Sequence, residues 1–174
     1  LATHKAILDH LAEIAQKARP GDFVYLHFSG HGSQQPAKVD ANEPDGRDEV
    51  FLAADTEMAP KDNPTYMPNV LTDDEIGAGL KAIRKAGAFV WVVFDNCHSG
   101  TATRGAPDEA DVAERKIEPA DMGIPDSAFA APAEEESDTR AAPMAAASSD
   151  DAGNADEGGL VAFFAAQSTE TTPE

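Results

Sequence analysis

The fold is decided by a stretch with the sequence FVWVVFDNCHSG at residues 89–100. Its first six residues are apolar and rich in valine, which is typical of a buried β-strand. The run ends at Asp95, and a polar turn follows that holds the only cysteine of the chain, Cys97. A second apolar run, at residues 23–28, ends in the same way in a polar turn that contains His31. Each turn therefore follows the carboxyl end of a predicted strand.

An amphipathic helix is predicted ahead of each of these two strands. Residues 3–18 repeat apolar side chains at helical spacing, and Thr3 is placed to act as the N-cap. The second helix opens with a capping box between Thr72 and Glu75 and stops at Gly87. Alternating helices and strands predict an α/β fold with a mostly parallel sheet, and continuous apolar strands predict that both sheet faces are covered. Ligands of such sheets bind beyond the carboxyl ends of the strands. His31 and Cys97 both come shortly after such an end.

The remainder of the chain divides by composition. Residues 33–47 predict a polar loop, residues 49–53 a short strand or hairpin arm, and residues 59–69 a proline-rich connection. Residues 105–159 are rich in Ala, Pro, Ser, Asp and Glu, which predicts a mostly disordered acidic insertion. LVAFFA, at residues 160–165, predicts a third buried strand. The expected organisation is therefore a core with both strand-end turns at 1–104, an insertion at 105–159 and a returning strand of the same core at 160–174.

Length and charge narrow the function classes. A chain of 174 residues holds one domain with a hydrophobic core. A formal net charge of -19 repels phosphate backbones, so nucleic acid is not an expected partner. Neither a signal peptide nor a membrane span is visible. We expect a soluble, cytoplasmic, monomeric protein.

His31 and Cys97 are the residues that could carry chemistry. A cysteine nucleophile acts as its thiolate, and a nearby imidazole can take up the proton. Gly30 and Gly32 allow a tight turn, and backbone N–H groups near Gly32 and Cys97 could stabilise an oxyanion. Taken singly, a loop histidine and a buried cysteine would each be ordinary structural residues. Together, at two predicted strand ends, they predict cysteine-dependent catalysis that needs no cofactor.

The two motifs also carry a family resemblance. YLHFSGHG at residues 25–32 and FDNCHSG at residues 94–100 resemble the histidine and cysteine signatures of metacaspases and their bacterial relatives. The segment DEVFLAAD at residues 48–55 resembles the family's intervening acidic segment, and LTDDE at residues 71–75 resembles the start of its next helix. The resemblance implies a three-layer caspase-like fold, which we expect to be incomplete at both termini.

The resemblance further implies a cysteine endopeptidase that acts on protein or peptide substrates. The family cuts after Arg or Lys through a covalent acyl-enzyme. Asp95 matches the acidic residue of its specificity pocket, where a carboxylate would pair with the basic substrate side chain. Ser29 matches a residue that lines the same pocket. The alternative for Asp95 is a solvated or capping residue.

Calcium dependence is also implied, because many metacaspases bind calcium through several aspartates. Asp73 and Asp74 match part of that set, and carboxylate oxygens suit calcium. The alternative is a favourable interaction of acidic residues with a helix N-terminus. Arg104 lies where some members carry a further aspartate ligand.

Self-cleavage is a further implied property, since family members often cut themselves between the cysteine strand and the next strand. The basic residues of that segment are the candidate cleavage sites. They are Arg104, Arg115, Lys116 and Arg140.

Three other functions remain open. The first is a cysteine-dependent phosphatase, which needs Arg six positions after the cysteine. Arg104 is one residue too far from Cys97, so the spacing argues against this class. A metal-binding module could use His27, His31, Cys97 and His98 as ligands. The third is a caspase-like scaffold without activity. Such a scaffold would not require His31 and Cys97, so the presence of both residues argues against it.

Overall fold

The computed structural model describes residues 1–37, 46–96, 116–129 and 157–164. Within these ranges it contains two α-helices, six strands and two short 3-10 helices. The helices are α1 (His4–Lys17) and α2 (Asp73–Lys85). The strands are β1 (Phe23–Ser29), β2 (Gly32–Pro36), β3 (Arg47–Leu52), β4 (Val70–Thr72), β5 (Phe89–Asp95) and β6 (Leu160–Phe164). The 3-10 helices are Pro119–Met122 and Asp126–Ala128.

A parallel sheet with strand order β1-β5-β6 forms the centre of the fold. Phe23 pairs with Phe89 at one end of β1 and β5, and Ser29 pairs with Asp95 at the other. Strand β6 lies on the other side of β5, with Leu160 opposite Val90. The α/β class is confirmed, and Leu160–Phe164 forms a strand of this sheet.

Both helices begin with the predicted caps. The Thr3 hydroxyl accepts a hydrogen bond from the Ala6 N–H at 3.2 Å. Thr72 and Glu75 form a complete capping box, so two backbone donors at the start of α2 are satisfied reciprocally. The apolar sides of the helices pack on one face of the parallel sheet. The core residues there include Leu11, Ile76, Leu80, Ile83, Val90, Val92 and Phe94.

The described residues do not cover the opposite face of the parallel sheet, so the expected coverage of this face stays a prediction. Exposed aromatic rings form this face: Phe23 stacks on Phe89 with centroids 5.8 Å apart, and Trp91 stacks on Phe163 at 5.4 Å. An uninterrupted apolar run shows that neither face is polar, but it does not show which element packs on each face.

A second sheet, antiparallel with the order β2-β3-β4, corrects the prediction of a polar loop at residues 33–47. Strand β2 lies in its first part, and its polar side chains are buried. Gln34 donates from Nε2 to Glu49 Oε1 at 3.0 Å, and Gln35 donates from Nε2 to Asp48 Oδ2 at 3.0 Å. Cross-strand partners satisfy these amides, and the polar composition that predicted a loop therefore conceals a buried strand.

Residues 116–129, here called the strap, are packed although they fall in the segment predicted to be mostly disordered. Ile124 is fully buried in a cluster with Val50, Met67 and Val70. The Ala59 N–H donates to the carbonyl oxygen of Met122 at 2.8 Å. A few well-placed apolar side chains hold the strap, which average composition does not reveal. Residues 105–115 and 130–156 of the predicted insertion lie outside the described ranges.

Gly158 fixes the entry into β6. Its N–H donates to the Arg84 carbonyl oxygen at 2.9 Å, and its own carbonyl oxygen accepts from Arg84 Nε at 2.9 Å. A Cβ at this position would lie 1.8 Å from the carbonyl oxygen of Ala88. The Gly158→Ala variant is expected to lower the free energy of unfolding by about 1–3 kcal/mol, because backbone must shift to admit the methyl group.

Urea denaturation of this variant measures the effect. Gly77→Ala is the matched control, since a Cβ at Gly77 in α2 meets nothing within 4 Å. The control is expected to raise stability by up to about 1 kcal/mol, as alanine favours helix over glycine. Equal stability of the two variants would contradict the close packing at Gly158.

Candidate active site

The turn that bears His31 and the end of the cysteine strand are neighbours in the parallel sheet. Ser29, the last residue of β1, pairs with Asp95, the last residue of β5. The Gly30 N–H continues this pairing and donates to the Asp95 carbonyl oxygen at 3.3 Å. His31 follows on one side and the buried Asn96 on the other. Cys97, the next residue, lies outside the described ranges, so its distance from His31 stays untested.

The histidine turn rests on β3. The His31 carbonyl oxygen accepts a hydrogen bond from the Leu52 N–H at 3.0 Å, and the His31 residue is half-buried. A Cβ at Gly30 would lie 2.9 Å from the ring of Phe51, which is itself buried against Phe28 at a centroid distance of 5.8 Å. Glycine at this position lets the turn approach the ring. The backbone of His31 is therefore fixed by both sheets.

The two residues predicted to line the specificity pocket are in contact. The Ser29 hydroxyl donates to Asp95 Oδ2 at 3.2 Å. The imidazole of His27 lies 3.9 Å from the same oxygen, measured from Nε2. These side chains lie on the sheet face that carries the exposed aromatic rings, because strand residues two apart share a face. The structure thus brings together Ser29 and Asp95 at the strand end next to His31.

The aspartates predicted as calcium ligands have a third carboxylate beside them. Asp73 and Asp74 start α2, and the Asp48 side chain on β3 is hydrogen-bonded to that of Asp73. The pKa of Asp48 is raised to about 6, mainly because burial disfavours its charged form and partly because Asp73 and Asp74 are close. Burial and the Asp74 carboxylate also raise the pKa of Asp73, against hydrogen bonds that lower it. We call Asp48, Asp73 and Asp74 the acidic cluster.

The fit of this cluster to calcium is partial. Its oxygens are of the type that calcium prefers, and the three carboxyl groups are close enough to affect one another's pKa. Within the described ranges, no group of three or more His, Cys, Asp or Glu side chains has the geometry to hold a metal ion. The same result gives no support to a metal-binding module built on His27 and His31. Cys97 and His98, the other ligands of that module, lie outside the described residues.

The raised pKa of Asp48 makes stability depend on pH. The folded state binds the proton more tightly than the unfolded state, so this contribution is complete below about pH 4 and is lost as the pH rises through about 6. Asp48→Asn, which stays neutral and can still accept from Gln35, is expected to melt at a higher temperature than the parent at pH 7.5 in a chelating buffer. The difference should vanish near pH 4. Thermal melts across this range test it, and a variant less stable than the parent at pH 7.5 would contradict the prediction.

Sequence reasoning missed three features of the site. Asn96, directly before Cys97, is almost fully buried. Asp48 belongs to the acidic cluster, and the only local signal for this role was its position in the segment DEVFLAAD. Lys116, predicted only as a cleavage candidate, pairs with Gly32 in an isolated parallel bridge. The other candidates for self-cleavage, Arg104, Arg115 and Arg140, lie outside the described residues.

Comparison with known proteins decides the family. The family model described as "Metacaspase, peptidase C14 domain" matches residues 1–104. The chain belongs to the metacaspase family. The match includes both strand-end motifs, Ser29, Asp95 and the acidic cluster.

Individual metacaspases match the same part of the chain. Metacaspase-1B of Aspergillus fumigatus is 34% identical over 102 residues, which is 59% of this chain and 22% of that protein. Metacaspase-1B of Neurospora crassa is 35% identical over 100 residues, covering 58% of this chain and 21% of the relative. Metacaspase-1 of Cryptococcus neoformans is 33% identical over 102 residues, which cover 59% of this chain and 20% of that protein. The match spans about a fifth of the length of these relatives.

The family membership confirms the caspase-like α/β fold predicted from the sequence. The matching family model is that of a peptidase domain. Among the helices that the structure describes, none has the length and apolar character needed to cross a membrane.

Proposed function

We propose that this chain forms the catalytic centre of a monomeric cysteine endopeptidase that cuts proteins or peptides after Arg or Lys. Cys97 is the nucleophile and His31 its base. The observation that carries the proposal is the parallel pairing of β1 and β5, which ends with Ser29 opposite Asp95. Both motifs leave the sheet at this point and on adjacent strands, so short turns are sufficient to bring the imidazole and the thiol into one crevice.

The chemistry needs only these two side chains and backbone donors. The Cys97 thiolate attacks the scissile carbonyl carbon, and a C–S bond forms as the carbonyl oxygen becomes an oxyanion. The N–H groups of Gly32 and Cys97 stabilise that charge. His31 gives its proton to the leaving amine as the C–N bond breaks. Water, deprotonated by His31, then attacks the thioester, releases the new carboxyl group and restores the thiolate.

Asp95 supplies the specificity. A carboxylate beside a strand end can hold a guanidinium or ammonium group through charge-assisted hydrogen bonds. The Ser29 hydroxyl, 3.2 Å from Asp95 Oδ2, orients the carboxylate for this contact. The net charge of -19 also raises the local concentration of basic peptides around the protein.

A panel of fluorogenic peptides that end in Arg, Lys, Asp or Gln tests the proposal. We expect hydrolysis of the Arg and Lys peptides only, and its loss in Cys97→Ala. Preference for the Asp peptide would overturn the pocket, and unchanged turnover by Cys97→Ala would overturn the nucleophile. An absence of turnover in every protein would favour a scaffold.

We also propose that calcium binds at the acidic cluster once its three carboxylates have rearranged into metal-binding geometry, and that it regulates the enzyme without entering the chemistry. A cation would offset the negative charge of the three neighbouring carboxylates. Millimolar calcium is expected to raise the melting temperature of the parent at pH 7.5 and to have a smaller effect on Asp73→Asn. An equal shift in both proteins would contradict binding at this cluster.

A further inference from the structure

The first residues of the strap lie against the turn that bears the candidate base. The Ile117 N–H donates to the carbonyl oxygen of Gly32 at 3.0 Å, and the Ser33 hydroxyl donates to the carbonyl oxygen of Ile117 at 2.7 Å. Lys116 is in parallel register with Gly32. An extended piece of chain is therefore held beside His31 through its main chain.

Gly32 connects this contact to the reaction. Its N–H is the proposed oxyanion donor, and its carbonyl oxygen, on the following peptide group, holds the strap. Ser33 is 1% exposed, and its hydroxyl is directed at strap backbone. Recognition through backbone groups at the edge of a strand is how many proteins bind extended peptides of varied sequence.

The strap is firmly seated at this position. The Lys116 side chain is only 4% exposed, and its ammonium group forms an ion pair with Glu118. Farther along, the fully buried Ile124 anchors the strap, and the Arg47 guanidinium lies 4.4 Å from the centroid of the Phe129 ring. These contacts keep residues 116–118 at high local concentration beside Gly32.

We propose that Gly32 and Ser33 form a docking edge for extended peptides, and that residues 116–118 of the same chain occupy this edge in competition with substrate. The inference rests on the proposed peptidase function and adds a binding edge and a means of restraint to it. A substrate that uses the edge must displace the strap. The apparent KM therefore equals the KM of the strap-free protein divided by the fraction of molecules in which the strap has left the edge. Ser33 acts as a substrate-positioning residue once the strap has left.

Ile117→Pro tests the competition because proline lacks the N–H that Gly32 accepts. Losing one such hydrogen bond and straining the extended backbone is expected to lower KM for Arg peptides about fivefold with kcat unchanged. Ile117→Ala keeps the N–H and is the matched control, with KM close to that of the parent. In the Ile117→Pro background, Ser33→Ala is expected to raise KM without changing kcat. A KM that is unchanged or higher in Ile117→Pro would overturn the proposal.

Two further measurements separate this proposal from the peptidase function. In the Cys97→Ala background, calorimetric titration with an Arg-containing peptide should show tighter binding when Ile117→Pro is added, whether or not the parent cuts peptides. If no variant hydrolyses peptide but this difference in affinity appears, the peptidase function fails and the docking edge stands.

Hydrogen exchange of the Ile117 amide in the unaltered chain is expected to accelerate when the peptide is added. Unchanged exchange at saturating peptide would overturn displacement of the strap, even if Ile117→Pro does not fold.

Discussion

The His31→Ala variant is expected to lose about a thousandfold in kcat/KM for Arg-ended peptides at pH 7.5. In the proposed mechanism the imidazole raises the population of the Cys97 thiolate and then protonates the leaving amine, so its removal slows formation of the acyl-enzyme at both steps. The backbone of His31 is held by the hydrogen bond from Leu52, and a smaller side chain leaves that bond in place. The loss should therefore appear in activity and not in the melting temperature.

A pH profile distinguishes loss of the base from damage to the fold. An isolated cysteine thiol has a pKa of about 8.5, so the residual activity of His31→Ala should rise with pH toward that value. His10→Ala is the matched control, because His10 is an exposed histidine on α1. Activity of His31→Ala within tenfold of the parent would remove His31 from the mechanism.

Asp95→Asn is expected to reduce kcat/KM for Arg peptides about a hundredfold, with little change for a peptide that ends in Gln. The substitution keeps an oxygen that can accept from Ser29 but removes the charge that we propose pairs with the substrate guanidinium. The informative quantity is the ratio of kcat/KM for the Arg and Gln peptides, which should fall by nearly the full factor.

Asp9→Asn controls for the change in net charge, because Asp9 is an exposed residue of α1. Its Arg-to-Gln ratio should match that of the parent. If Asp95→Asn also leaves this ratio unchanged, Asp95 is a structural residue of the strand end, and the specificity pocket has to be sought elsewhere on the chain.

The exposed aromatic face and the carboxyl end of the parallel sheet are continuous with each other. Asp95 and Ser29 lie on the same face as Phe23, Trp91 and Phe163. The docking edge at Gly32 lies on the other side of His31 in the chain. Along the chain, the candidate base thus lies between the residues of the proposed specificity pocket and the proposed docking edge.

Much of the fold could be predicted from the sequence, because its signals are local. Apolar runs predicted β1, β5 and β6, and the capping residues Thr3 and Thr72 predicted both helix starts. A glycine-containing segment directly after an apolar run predicted where His31 leaves the sheet, and the same pattern places Cys97 after β5 in the sequence. Each of these signals lies within a few consecutive residues, where side-chain periodicity and backbone capping act.

Only the tertiary structure decided the features that depend on partners distant in sequence. Gln34 and Gln35 belong to a buried strand because Glu49 and Asp48 satisfy them, and polar residues without known partners predict a loop. Asp48 acquires its raised pKa from burial and from carboxylates on α2. The strap contacts Gly32 through Ile117 and is anchored by Ile124, which is buried against β3 and β4. All of these partners are distant from the strap in sequence. The sequence by itself determined the elements and the chemical groups at their ends, whereas hydrogen bonding and burial between distant segments decided which groups meet.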